Sequence, residues 1–289
     1  MVSIREARAS DFERVHRLLL DFRRPDISKQ QWQQLFVDHS GLQNDRFGYL
    51  LLDGEDVVGF LATIFSERTI RGQKERFCNM STWIVKDAFR RQSLALFSKV
   101  LALKGVTVTN LSPTPAVLKM CEKLGFTPYD KSERIIVPSP APRLWKRVEI
   151  VTESRLIEGA LGGELGRIFR DHQLPYNKHA LVRAPEGDSY VMMNRSPKAV
   201  KGRLRVPMAR VHHVSAPEIF LEYVDRLVNA VVARFGVAAM IVDERRLHGR
   251  KVWHSFARPG GPRTGAFRSD TLGPDDIDGL YSEAVLLNH

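Results

Sequence analysis

Polar and apolar residues alternate from the start of the chain, so Ser3 to Glu6 is expected to form a strand. Asp11 stands where a helix N-cap would, ahead of an apolar stripe made by Val15, Leu18, Leu19 and Phe22. A second short helix is expected over Lys29 to Phe36. Tyr49-Leu50-Leu51-Leu52 and Val57-Val58-Gly59-Phe60-Leu61-Ala62 flank Asp53-Gly54, a hairpin signal because both turn residues tolerate positive φ. The basic stretch Arg68 to Arg76 reads as a loop and Phe77 to Val85 as a strand. Leu94 to Leu103 reads as a helix stopped by Gly105, Val106 to Thr109 as a β-branched strand, and Pro115 to Leu124 as a helix closed by Gly125.

Pro138, Pro140 and Pro142 then interrupt any regular element and mark a linker. Beyond it the order repeats. Helices are expected around Arg155 to His172, a hairpin at Glu186-Gly187 and a strand from Ala209 to Val214. One long helix is expected from Pro217 to Phe235, ended by Gly236, with a strand over Val237 to Val242. Arg245 to Arg268, containing His248, Trp253 and His254, reads as a long loop. Tyr281 to Leu287 reads as a closing strand. Val100-Leu101-Ala102 before Gly105-Val106 matches Val231-Val232-Ala233 before Gly236-Val237, and Asp53-Gly54 matches Glu186-Gly187 at nearly the same displacement. Two copies of one domain follow, cut at residues 1–137 and 138–289. The length of 289 residues suits two cores better than one.

Composition narrows the class. A hydrophobic fraction of 43% with 27% charged residues fits a folded globular chain rather than a disordered one. No apolar run approaches the roughly 20 residues that a membrane span needs. Met1-Val2-Ser3-Ile4-Arg5 contains no apolar signal core, so a cytoplasmic location is expected. The two cysteines, Cys78 and Cys121, form no CxxC pair, which argues against a thiolate metal site. A net charge of +11 calls for an anionic partner or a solvated arginine-rich surface. The arginines are spread without a dense tract, which argues against a nucleic-acid arm.

Trp83-Ile84-Val85-Lys86-Asp87-Ala88-Phe89-Arg90-Arg91-Gln92-Ser93-Leu94-Ala95 carries the clearest chemistry: a strand end, a basic turn and a helix that opens on small residues. The first turn of a helix has free N–H groups and partial positive charge, so a diphosphate can rest there beside Arg90 and Arg91. Helix, Gly and strand follow, then a helix ending in Glu122-Lys123-Leu124-Gly125-Phe126. Over about Ile4 to Tyr129 this order resembles the GNAT family of acyl-CoA-dependent N-acyltransferases. The family's cofactor loop reads Gln/Arg-x-x-Gly-x-Gly/Ala; Arg90-Arg91-Gln92-Ser93-Leu94-Ala95 matches it at Arg90 and Ala95 and has Ser93 in place of Gly.

The resemblance implies an α/β fold with a mixed, mainly antiparallel central sheet flanked by helices, in two similar halves. It implies that Trp83, Ile84, Val85, Arg90, Arg91, Gln92, Ser93, Leu94 and Ala95 hold acetyl-CoA or another acyl-CoA. It further implies acyl transfer to an amine of a small molecule or a protein by direct attack in a ternary complex, and it leaves a homodimer open. Cys121 stands where relatives often have a general-acid Tyr, and a thiol could protonate a departing thiolate. The strand before the loop, Cys78-Asn79-Met80-Ser81-Thr82-Trp83, lacks the carboxylate that relatives use as base. Asn79 and Ser81 are expected to share a face with Trp83 and to orient an amine or a water, while Glu67 and Glu75 are unassigned acids nearby. The matching turn of the second half, Val214-Ser215-Ala216-Pro217-Glu218, has no arginine, so that half is expected not to bind CoA there. His212-His213 would place one imidazole inward and one outward. The competing reading is a module that kept the fold to bind CoA or a partner without turnover.

Overall fold

A computed structural model of the chain describes residues 2–22, 24–142, 147–201, 204–259 and 263–288, with backbone only at 196–201 and 204–205. The first ten elements are β1 (Val2–Glu6), α1 (Phe12–Leu19), α2 (Lys29–Gln33), β2 (Gly48–Asp53), β3 (Asp56–Ile70), β4 (Gln73–Val85), α3 (Ser93–Leu101), β5 (Thr107–Asn110), α4 (Pro115–Lys123) and β6 (Thr127–Asp130). There follow β7 (Glu133–Ile136), β8 (Glu149–Val151), α5 (Ser154–Ala160), α6 (Gly163–Asp171), β9 (Asn177–Ala184), β10 (Gly187–Lys201), β11 (Leu204–Val214), α7 (Pro217–Glu222), α8 (Val224–Phe235), β12 (Met240–Asp243) and β13 (Ser255–Ala257). The chain closes with β14 (Thr264–Arg268) and α9 (Glu283–Leu286).

These elements build two seven-stranded sheets of matching plan. The first has the order β1-β2-β3-β4-β5-β14-β6 and the second β13-β7-β12-β11-β10-β9-β8. In each, four strands run antiparallel, the fourth pairs in parallel with the fifth, and the sixth place is taken antiparallel. The sixth place is filled out of sequence. β14, near the end of the chain, completes the first sheet, and β7, directly after β6, enters the second. The compact units are therefore Met1–Tyr129 with Gly265–Ile277 and Tyr281–His289, and Asp130–Thr264 with Asp278–Leu280. A straight cut at residue 137 divides neither sheet correctly.

In the first unit α3 and α4 lay Leu96, Phe97, Val100 and Cys121 on Leu51, Leu61, Cys78, Met80, Val108 and Ala266. In the second, α7 and α8 lay Phe220, Leu227, Val228 and Val231 on Val182, Val191, Met193, Val211 and Met240. Each stripe recurs at three- and four-residue spacing, as a helix needs to seat one face on a sheet.

Several local expectations change. Asp11 does not cap α1; its carboxylate accepts the Arg8 N–H and both Arg5 guanidinium branches. The basic stretch expected as a loop is the arm of a long hairpin, turned at Arg71 (φ 51°) and Gly72 (φ 80°). Its charges sit on paired strands, Glu67 opposite Arg76 and Arg68 opposite Glu75, and cross-strand pairs of opposite sign favour strand over loop. The helix expected over Pro217 to Phe235 breaks at Tyr223 (φ −117°, ψ 18°), whose buried hydroxyl donates to Glu186 at 3.0 Å. The expected loop after Arg245 contains β13 and β14. The expected closing strand is the helical turn α9, in which Val285 and Leu286 donate to Ser282. Glu283, Val285, Leu286 and Leu287 are all buried there, so no strand-like alternation remains.

Candidate functional site

The first unit's sheet opens at its middle. β4 pairs with β3 as far as Val85 opposite Gly59, but with β5 only over Phe77 to Asn79, opposite Thr107 to Thr109. From Met80 onward no strand among the described residues pairs with the β5-side edge of β4, and its backbone groups are left for another partner. Thr82 (φ 39°) is an extra residue, because Leu61 faces Trp83 and Ala62 faces Ser81. A bulge of one residue inverts the alternation beyond it. Trp83 therefore does not share the face of Asn79 and Ser81; it stacks on Phe97 of α3 with ring centroids 5.4 Å apart.

At Val85 the strand ends and Lys86 donates to the Val58 carbonyl at 2.8 Å. A 3₁₀ stretch, Asp87–Gln92, leads into α3. Lys86, Arg90, Arg91, Leu94 and Ala95 are exposed, and Gln92 and Ser93 are half-buried. Arg90 Nε donates to Asp87 Oδ1 at 2.8 Å, and the Ser93 N–H is used by the Arg90 carbonyl. No side chain caps the start of α3. Among the described residues, Gln92 Oε1 and Trp83 Nε1 are buried without a hydrogen-bond partner, one towards each end of this loop. A cation-rich helix start, small side chains and an unpaired strand edge form a surface suited to a phosphate and an amide-bearing arm.

At the fork where β4 and β5 part lies a buried polar cluster. Asn79 Nδ2 donates to Glu283 Oε2 at 2.8 Å, and Ser112 Oγ donates to Glu283 Oε1 at 2.5 Å. Thr109 Oγ1 donates to Asn79 Oδ1 at 3.1 Å. Asn79 and Thr109 are the last facing pair of the two strands. Glu283 is 5% exposed, and among the described residues its carboxylate has two neutral donors and no cation. A carboxylate kept dry is costly unless it is hydrogen-bonded, and Asn79 and Ser112 supply those bonds at the fork.

The sequence matches no protein-family model and no curated protein sequence. Solved structures do match. A GCN5-related N-acetyltransferase from Anabaena variabilis superposes with a TM-score of 0.59 at 10% identity, over 93% of this chain and 72% of the other. A Pyrococcus horikoshii protein provisionally assigned as an acetyltransferase gives 0.56 at 16% identity, over 98% and 95%. N-myristoyltransferase of Saccharomyces cerevisiae, solved with bound myristoyl-CoA, gives 0.50 at 10% identity, over 97% and 83%. The chain is a tandem GNAT-fold protein.

The tandem GNAT-fold protein places its expected site residues unevenly. Trp83 to Val85 end β4 beyond its pairing with β5, and Arg90 to Ala95 span the 3₁₀ stretch and the first turn of α3. Ser81 lies on the Asn79 face, 5% exposed, with its Oγ 3.2 Å from Thr82 Oγ1. Cys121 is fully buried in the helix-side core with Leu96, Phe97 and Phe126. Burial, and secondarily Glu122, push its thiol up to about 11. Glu67 pairs with Lys74 at 3.1 Å and Glu75 accepts from Thr271, both on the hairpin arm before Phe77. The carboxylate at the fork, Glu283, was missed. Its signal was a lone acid inside the apolar run Tyr281 to Leu287.

The second copy of the GNAT-fold protein repeats the fork and closes it. β11 and β12 pair only at Ala209–Met240 and Arg210–Ile241, and His212 is the extra residue, between Val211 facing Met193 and His213 facing Met192. Asp278–Leu280 lies on this bulge. Gly279 donates to the His212 carbonyl at 3.1 Å, and His213 Nδ1 lies 3.0 Å from Asp278 Oδ2. A Cβ on Gly279 would stand 2.7 Å from His212 Nδ1. The extra residue also keeps both imidazoles covered, at 7% for His212 and 15% for the side chain of His213.

Burial, reinforced by Arg210 and Lys131, drives His212 well below the usual histidine range, and burial lowers His179 to about 4. Above about pH 6.5 both rings are neutral folded or unfolded. Below it the unfolded chain takes up protons that the folded second unit refuses. Each ring then costs about 1.4 kcal/mol per pH unit, until His179 charges near its folded value. Thermal unfolding is expected to fall by about 5 °C or more between pH 7 and pH 5, and His179→Phe is expected to reduce the loss.

Proposed function

We propose that this protein is an acyl-CoA-dependent N-acyltransferase of the cytoplasm, with acetyl as the transferred group and an amine of a small molecule or a protein as acceptor. The observation that carries the reading is the fork in the first sheet, where β4 runs on into a basic, uncapped helix start and a buried carboxylate held by two neutral donors lies at the base. Structural neighbours with this fold include N-acetyltransferases and an enzyme with a bound acyl-CoA. The first unit, completed by β14 and α9, is the proposed acyl-CoA domain. The second lacks the loop, and its fork is occupied by Asp278–Leu280.

The fit rests on Trp83 to Val85 for the pantetheine arm and on Arg90 to Ala95 for the diphosphate. Bound acyl-CoA would supply a thioester carbonyl carbon, where a C–N bond forms as the C–S bond breaks, and CoA leaves as the thiol with the proton shed by the attacking nitrogen. Glu283 takes a proton from the acceptor ammonium, and Asn79 and Ser112 hold the carboxylate in one orientation.

A free-thiol assay with acetyl-CoA and a panel of amino acids, polyamines, amino sugars and N-terminal peptides tests the reading. Turnover with at least one class is expected, and Cys121→Ser should match wild type within about twofold, since its thiol packs in the core. A protein that binds acetyl-CoA and releases thiol with none of them would favour the binding module.

A further inference from the structure

The fork of the second sheet carries the opposite charge from that of the first. Arg210 is the last residue of β11 facing β12. Its guanidinium bonds Glu133 of β7 on one carboxylate oxygen, and Arg258 bonds the other. Arg258 is also held by its backbone, which donates to the Glu133 carbonyl at 2.8 Å. Arg263 Nη1 stands 3.6 Å from the same carboxylate. Nearby, Arg134 pairs with Glu244 and Arg245 with Asp243. Here, among the described residues, three guanidinium groups share one carboxylate, an excess of two positive charges within the cluster.

Two of the three are nearly dry. The side chains of Arg210 and Arg258 are 12% and 13% exposed, whereas Arg263 is 46% exposed and borders solvent. Arg210 Nε is buried with no acceptor among the described residues. Burial, then Arg258 and Arg263, lower Arg210 to about 9, which still leaves it charged at neutral pH. A buried ion pair tolerates its desolvation only when charge is balanced and every donor is used. Neither condition holds for this cluster alone.

We propose that Arg210, Arg258 and Arg263 form an anion site that takes the phosphate monoester of a small molecule. A phosphate monoester carries about −1.5 to −2 at neutral pH, which cancels the excess, and its oxygens accept guanidinium forks in pairs. Glu133 sets the geometry and limits the affinity. The site is independent of the first unit's loop and does not rest on acyl transfer.

Thermal unfolding of the full chain in about 10 mM inorganic phosphate, against chloride of equal ionic strength, tests the proposal. Wild type is expected to gain about 2–4 °C. Arg263→Ala, at the exposed rim, should keep its melting point in chloride and lose most of the gain. Glu133→Gln should show a larger gain than wild type, since it removes the competing carboxylate. The double variant Arg90→Ala with Ser93→Glu should keep the gain, which separates this site from the loop at α3. No gain in wild type, an undiminished gain in Arg263→Ala, or a gain abolished by the loop variant would each overturn the proposal.

Discussion

Replacing Glu283 with Gln is expected to lower turnover by about a hundredfold or more while acetyl-CoA affinity stays within about twofold of wild type. Gln keeps the shape and one acceptor oxygen, so Ser112 or Asn79 can still bond it, but it cannot take a proton. Ser112→Ala should cost less, about tenfold, because it frees the carboxylate without removing it. The loss in Glu283→Gln should shrink with rising pH, as more acceptor amine is neutral before it binds. An unchanged kcat in a folded Glu283→Gln variant would remove this carboxylate from the chemistry.

Expressed alone, residues 1–137 are expected not to fold. β14 lies inside the first sheet, between β5 and β6, with Ala266 facing Asn110 and Phe267 facing Thr109. Gly265 admits the ring of Tyr129, whose atoms would stand 2.4 Å from a Cβ at that position. The fragment also loses buried Ile277, Tyr281, Val285, Leu286 and Leu287. At about 1.5–3 kcal/mol per buried apolar side chain, the six with Phe267 rival or exceed the 5–15 kcal/mol that holds a domain. Circular dichroism should show no cooperative melt. A sharp melt in this fragment would contradict the exchanged sheets and restore the straight cut at the proline linker.

Tandem organisation was legible because Asp53-Gly54 and Glu186-Gly187 turn their hairpins by local chemistry, and because Gly236 (φ 60°) ends its helix in the left-handed region where glycine is favoured. The proposed cofactor loop can be read from the sequence because its cations, small residues and preceding strand are adjacent there. What failed depended on distant partners. Periodicity marks a strand but not its neighbour, so nothing at Glu133–Ile136 announces that β7 enters the second sheet. The single extra residue at Thr82 moves Trp83 across the sheet, and alternation cannot register it. Glu283 reaches Asn79 from 204 positions along the chain, so no spacing rule near the strand could find it.

Titration of acetyl-CoA into wild type and into the Arg90→Ala, Ser93→Glu double variant, followed by calorimetry, tests the central claim most directly. Micromolar, one-to-one binding that the variant loses is the expected result: the new carboxylate repels the diphosphate at the start of α3 and a neighbouring cation is gone. A folded wild type that takes up no acetyl-CoA, or a variant that binds as tightly, would contradict the assignment of this fork as an acyl-CoA site.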